Sequence, residues 1–236
     1  MAERKYRILL AEDDLNLGFL LVEYLDSEGF DVKLYKDGEM AFNAFKSNDF
    51  DLCLLDVMLP RMDGFSLAAS IRARSRDIPL LFISAKALKE DKLKAYGLGA
   101  DDYITKPFDE EELVWKLKAV VRRLNNGESH NDGPLLNIGS YVFDYKNQCL
   151  KLGSEIKRIT VKEAEVLRYL CNHKNKVIKR EEMLVSIWGK NDYFLGRSLD
   201  VFITKIRKYL KEDPGIRVEN VFGVGFEFHV PEEGRK

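Results

Sequence analysis

The chain has 236 residues, 45% hydrophobic and 33% charged, which excludes a disordered polymer and leaves room for one large domain or two ordinary ones. No stretch approaches the about 20 apolar residues of a membrane span, and Met1 to Arg7 is too polar for a signal peptide, so a cytoplasmic protein without membrane contact is expected. The net charge of −1 conceals an acidic front, −4 over residues 1–123, and a basic back, +5 over 134–236. Cations or phosphate chemistry suit the first and nucleic acid the second.

Along the first half, short apolar runs alternate with amphipathic segments. Arg7–Ala11 reads as a strand, followed by Leu17, Leu20, Leu21, Tyr24 and Leu25 at helical spacing. Strands at Val32–Tyr35, Leu52–Leu55, Pro79–Ile83 and Asp102–Ile104 follow, with helical patterns between them. All-apolar strands alternating with helices predict a parallel five-stranded α/β sheet, doubly wound and covered on both faces, whose ligands gather at the carboxyl ends of the strands.

Residues 124–134 are dense in turn formers and read as a linker between a domain at 1–123 and a second at 135–236. The second begins with strand-like pieces at Tyr141–Phe143, Cys149–Leu152 and Ile156–Ile159. Helices near 161–173, 180–187 and 197–211 precede a hairpin, Arg217–Val221 and Gly225–Val230, which predicts an α+β winged helix-turn-helix. Thr160 and Glu163 read as a capping box. Cys53, Cys149 and Cys171 match neither a disulfide framework nor a zinc pattern and read as buried thiols.

Four features fall at successive strand ends of the first domain: Glu12-Asp13-Asp14, Asp56, Ser84 and Lys106 before Pro107. Each alone is ordinary; acidic residues after a strand commonly just cap a helix. Together they suit phosphoryl transfer. Clustered carboxylates call for a hard cation such as Mg²⁺, a carboxylate can attack phosphorus, and an ammonium and a hydroxyl can neutralise the phosphoryl oxygens.

Three segments then carry a specific resemblance: Ile8 to Asp14, Leu54 to Pro60, and Gly99 to Phe108 resemble a response-regulator receiver domain over residues 6–123. The resemblance implies a flavodoxin-like fold, phosphorylation of Asp56 by a sensor histidine kinase, and Mg²⁺ held by Asp13, Asp56, the Met58 carbonyl and, through water, Glu12. It implies Ser84 and Tyr103 as a switch pair, Tyr103 turning inward behind Ser84. An aspartyl-phosphate phosphatase would need a second acid where Met58 stands, and no nucleotide-binding glycine loop is present. The expectation is therefore a regulator, not an enzyme beyond its own Mg²⁺-dependent phosphotransfer and dephosphorylation.

Within the OmpR/PhoB-type subfamily, which the whole chain resembles, the charged segment Lys89–Arg123 would form a phosphorylation-driven homodimer, Lys92 meeting Glu112 and Asp102 meeting Lys116. Relatives usually carry arginine at positions 92 and 116; lysine loses the bidentate fork, so a weaker or more salt-sensitive dimer is expected. In the second domain, Ile159–Leu167, Arg180–Gly189 and Arg197–Lys208 resemble the effector domain of that subfamily over residues 135–230. The helix from Arg197 would present Arg197, Val201, Thr204, Lys205 and Lys208 to the major groove of promoter DNA, opposite a core face of Leu199, Phe202, Ile203, Ile206 and Leu210. The loop 190–196 would face RNA polymerase. Phe222 stands at the wing position where relatives usually carry arginine, which predicts a smaller salt dependence of DNA binding than an arginine wing would give. A DNA-binding module indifferent to phosphate is the competing reading.

Overall fold

The computed structural model describes residues 5–125, 135–189 and 193–231. They belong to two compact units, Met1–His130 and Asn131–Lys236.

In the first unit, strands β1 (Tyr6–Ala11), β2 (Phe30–Tyr35), β3 (Leu52–Asp56), β4 (Leu80–Ser84) and β5 (Asp102–Thr105) form one parallel sheet. Their order is β2-β1-β3-β4-β5. Helices α1 (Leu15–Ser27), α2 (Gly38–Ser47), α3 (Gly64–Arg74), α4 (Lys89–Gly97) and α5 (Glu110–Asn125) alternate with the strands. Ile8, Leu10, Leu54 and Ile83 pack on one face with Leu21 and Leu25 of α1 and Leu113 and Leu117 of α5. The intervening residues Leu9, Cys53, Leu55 and Phe82 are equally buried on the other face. Both faces being covered is why these strands read as continuous apolar runs. Asp14, Asp37 and Asp63 cap α1, α2 and α3 by accepting hydrogen bonds from first-turn amides.

In the second unit, β6 (Leu136–Ile138), β7 (Tyr141–Asp144), β8 (Cys149–Leu152) and β9 (Glu155–Arg158) form an antiparallel meander. Then come α6 (Val161–Asn172), β10 (Val177–Lys179), α7 (Arg180–Trp188), α8 (Tyr193–Tyr209), β11 (Arg217–Val221) and β12 (Gly225–His229). The last sheet runs β10-β12-β11. Leu167, Leu170, Met183, Leu184, Phe226 and Phe228 are buried in its core, with Leu199, Phe202, Ile203 and Ile206 of α8 and Leu210 just past its end, the face expected. The capping box forms: Thr160 Oγ1 accepts from the Glu163 amide, and Glu163 Oε2 from the Thr160 amide.

The structure differs from the sequence reading at particular places. The three-residue strands β6 and β10 were not expected. Helix α8 begins at Tyr193 rather than Arg197, so residues 193–196 are helical and not loop. The carbonyl of Gly196, the last residue of the expected loop, accepts from Arg180 Nη1 at 2.5 Å while Nη2 binds Asp200 at 2.6 Å, tying this turn to α7. Leu124 and Asn125 continue α5. The rest of the expected linker, 126–134, and Lys190–Asp192 of the expected loop lie outside the described residues. All three cysteines are buried, and burial pushes the Cys53 and Cys171 thiols up to about 12.

Candidate functional site

The strand order reverses direction between β1 and β3, and register aligns the carboxyl ends: Ala11 lies beside Leu55, Asp56 beside Ile83, Ser84 beside Thr105. Residues that leave these ends therefore converge. Asp56 and Ser84 are the last residues of β3 and β4 rather than the first residues beyond them. Of the three acidic residues after β1, Asp14 is the helix cap: its Oδ1 accepts from the Asn16 and Leu17 amides. That leaves Glu12 and Asp13 to the site.

Glu12, Asp13 and Asp56 each bring a carboxylate oxygen within 4.8 Å of the others. Lys106 enters from the end of β5, its Nζ 2.7 Å from Glu12 Oε2 and 2.5 Å from Asp56 Oδ2. The Lys106–Pro107 peptide is cis. Asp56 Oδ1 accepts from the Met58 amide at 2.8 Å. Burial pushes the Glu12 carboxyl up despite the adjacent ammonium. Burial alone would pull Lys106 down, but its bonds to Asp56 and Glu12 outweigh that and raise it. Three carboxylates against one ammonium leave a formal −2, and the donors are all hard oxygen, a set that fits a small divalent cation.

Ser84 is fully buried, its Oγ accepting from the Lys86 amide at 3.1 Å. Tyr103 is turned into the fold, 7% exposed, its hydroxyl donating to the Lys86 carbonyl at 2.8 Å and bonding the Ser84 side chain. Gly64 leaves no room for a side chain here, since a Cβ would lie 2.0 Å from the Asp56 carbonyl oxygen. Gly64→Ala must push α3 off the end of β3, so it is expected to destabilise the first unit by about 1–3 kcal/mol. Urea unfolding of this variant beside the wild type checks this; an unchanged midpoint would contradict it.

The expected dimer residues lie on α4, β5 and α5. Lys116 Nζ pairs with Asp102 within the same chain, and lies 3.7 Å from Glu112. Asp102 also accepts from the Tyr103 amide and the Tyr96 hydroxyl. The pair expected between two chains is therefore already made within one. Trp115, 73% exposed on α5 beside Lys116, was not singled out from sequence, where an aromatic in a helical pattern reads as core.

On α8, Arg197, Thr204 and Lys208 are exposed and Val201 is partly so. Lys205 is placed differently. Its Nζ lies 2.9 Å from Oε1 of Glu163, a carboxylate 2% exposed, so this lysine ties α8 to α6. Phe222 sits at the tip of the β11–β12 hairpin with its side chain fully exposed. Among the described residues, no helix is long and apolar enough to cross a membrane.

Comparison with known proteins agrees with both halves. A response regulator receiver domain model matches residues 8–118, and a model for the C-terminal domain of transcriptional regulatory proteins matches 153–228. The chain is 46% identical to the transcriptional regulatory protein RprY of Bacteroides fragilis, covering 98% of this chain and 97% of that one. Among solved structures, a RitR mutant superposes with a TM-score of 0.72 at 26% identity, covering 96% of this chain and all of the other. The Thermotoga maritima OmpR/PhoB homologue DrrB gives 0.51 at 28%, with the same coverage.

Proposed function

This chain belongs to the response regulators that join a receiver domain to a C-terminal DNA-binding domain, and on that premise we propose that Asp56 is its phosphoacceptor and that phosphorylation governs its binding to promoter DNA. The observation that carries the proposal is the convergence of Glu12, Asp13, Asp56 and Lys106 from the carboxyl ends of β1, β3 and β5 of one parallel sheet.

A carboxylate oxygen of Asp56 attacks the phosphorus of a phosphohistidine on the kinase. The Asp56 O–P bond forms as the N–P bond breaks, and the imidazole keeps the electron pair and takes up a proton. Lys106 holds Asp56 in place and balances charge that develops on the phosphoryl oxygens. Glu12, Asp13, Asp56 and the Met58 carbonyl would hold Mg²⁺, Glu12 through water. When bound, the ion neutralises the remaining phosphoryl charge. Ser84 donates its hydroxyl to a phosphoryl oxygen, and Tyr103 stays inward behind it.

The readout is a homodimer across α4, β5 and α5. Lys92 meets Glu112, and Asp102 and Lys116 exchange their partner within the chain for one across the axis. Such an exchange contributes little net energy, so burial of Trp115 at this face is a fitting source of dimer affinity. Two receivers brought together raise the effective concentration of two DNA-binding units, which the linker, with domains at 1–123 and 135–236, leaves able to reach adjacent half-sites. Arg197, Val201, Thr204 and Lys208 face the major groove, and Lys205 positions the helix through Glu163. RNA polymerase is the downstream partner and the cytoplasm the compartment.

The test is affinity for duplexes selected from a randomised pool, with and without a small phosphodonor and Mg²⁺. Wild type should bind more tightly with the donor, and Asp56→Ala should not respond to it. Equal affinity of both proteins under both conditions would favour phosphate-independent binding instead.

A further inference from the structure

A single exposed apolar side chain is common on protein surfaces and means nothing by itself. Phe222 differs because of where it is held. Its side chain is fully exposed on a turn closed by a hydrogen bond from the Val224 amide to the Val221 carbonyl at 3.0 Å. Gly223 takes a φ of +72° at the third position of that turn, which glycine adopts without strain. The hairpin itself is braced on the helix assigned to DNA. Arg207 of α8 donates through Nε to the Val218 carbonyl and through Nη2 to Asn220 Oδ1, each at 2.8 Å. At its other edge, the Val224 carbonyl accepts from the Arg180 amide at the start of α7. Gly225 lies so close to β10 that a Cβ would meet the Ile178 carbonyl oxygen at 2.1 Å. The tip is thus fixed relative to α8.

The electrostatics of the hairpin do not suit a clamp on phosphates. Val221 to Gly225 carries no charge. Further up, Glu219 and Glu227 stand opposite each other across the strands, with His229 Nε2 within 4 Å of both. Arg217, its Nε 3.5 Å from Glu219, is the one arginine of the hairpin against these two carboxylates. A hairpin lying along the sugar–phosphate backbone would bring these two carboxylates toward like charge. Entering a groove by its narrow, uncharged tip avoids this. With α8 in a major groove about 12 Å wide, the element beside it meets the adjoining minor groove, about 6 Å wide, which admits a hairpin tip but no helix.

We infer that Phe222 is a specificity residue: an apolar wedge that the wing places in the minor groove beside each half-site, reading the deformability of the base step it meets. Flexible pyrimidine–purine steps open for such a wedge at least cost, so they are preferred at that position although no base edge is hydrogen-bonded there. The inference rests on the DNA-binding reading above and adds how the wing contributes to it.

The experiment selects duplexes from a randomised pool with the full chain in Mg²⁺ and phosphodonor, using wild type, Phe222→Ala and Phe222→Arg. Salt titrations of the recovered duplexes follow. Wild type should enrich a pyrimidine–purine step flanking the half-site, and Phe222→Ala should lose that preference while keeping the half-site. Phe222→Ala should bind about tenfold more weakly at every salt concentration, with an unchanged slope, because the lost contact is apolar burial. Phe222→Arg should steepen the slope of log affinity against log salt by about 0.9, one added phosphate contact. Wild-type affinity and an identical selected sequence for Phe222→Ala would overturn the inference while leaving DNA binding intact. Recovery of no duplex by wild type would instead remove the DNA-binding reading, and the wedge with it.

Discussion

Replacing Lys106 with alanine is expected to slow phosphoryl transfer onto Asp56 by about 10²- to 10³-fold, the usual loss when one preorganised charge-stabilising donor is taken from a reaction centre. Lys106 reaches both Glu12 and Asp56, and these carboxylates are 0% and 4% exposed. Without the ammonium they face each other and Asp13 with nothing of opposite charge supplied from β5. The variant should therefore also be less stable than wild type in chelator and regain more of its stability when Mg²⁺ is added, since a ligand that binds only the folded state stabilises it. Timed intact-mass measurements give the rate, and thermal unfolding in chelator and in Mg²⁺ gives the stability. A wild-type rate in Lys106→Ala would show that the lysine is structural and that the phosphoryl charge is balanced elsewhere.

The second large effect lies in the other unit. Glu163→Ala is expected to destabilise that unit by about 3–5 kcal/mol, the usual result of removing one partner from a buried pair. Glu163 accepts from the Thr160 amide, from Lys205 Nζ and from the Tyr209 hydroxyl, so its loss removes one half of the α6 capping box and strands a half-buried lysine on α8. The same residue carries a pH signature. Burial alone would push its carboxyl up, but the charge and hydrogen bond of Lys205, with the Thr160 amide, hold it below its usual 4.5. A carboxyl whose folded pKa is depressed stabilises the fold above the unfolded value and loses that contribution as pH falls through the folded one. Wild type should therefore lose stability as pH is lowered below 4.5, and Glu163→Gln should lose less over the same range. Urea unfolding of both proteins at successive pH values measures this. Parallel curves would mean that another group carries the acid sensitivity.

The pattern of what was legible in the sequence follows from how local each cause is. The parallel sheet was readable because strands covered on both faces must be apolar throughout, as in Leu52-Cys53-Leu54-Leu55. Once the strands were placed, Glu12, Asp13, Asp56, Ser84 and Lys106 followed, because a parallel sheet brings its carboxyl ends together. The capping box at Thr160 and Glu163 spans three residues and was equally plain. The strands β6 and β10 were not legible: three residues show no periodicity, and their partners β7 and β12 are what make them strands. The first turn of α8 is contacted at Gly196 by Arg180, a residue of α7 sixteen positions away. The attachment of Lys205 to Glu163 spans 42 positions, and neither residue's neighbours announce it. Asp102 and Lys116 are legible in the sequence as opposite charges, expected to pair between chains. That α5 already brings them together in one chain is a matter of how the helix lies over β5.

The measurement that bears most directly on the central claim is the intact mass of the full chain after incubation with Mg²⁺ and a small-molecule phosphodonor, wild type beside Asp56→Ala. One labile phosphoryl adduct on the wild type and none on the variant is the predicted result. An adduct that persists in Asp56→Ala, or none on a folded, Mg²⁺-binding wild type, would contradict it and leave the carboxylate cluster without the role assigned to it.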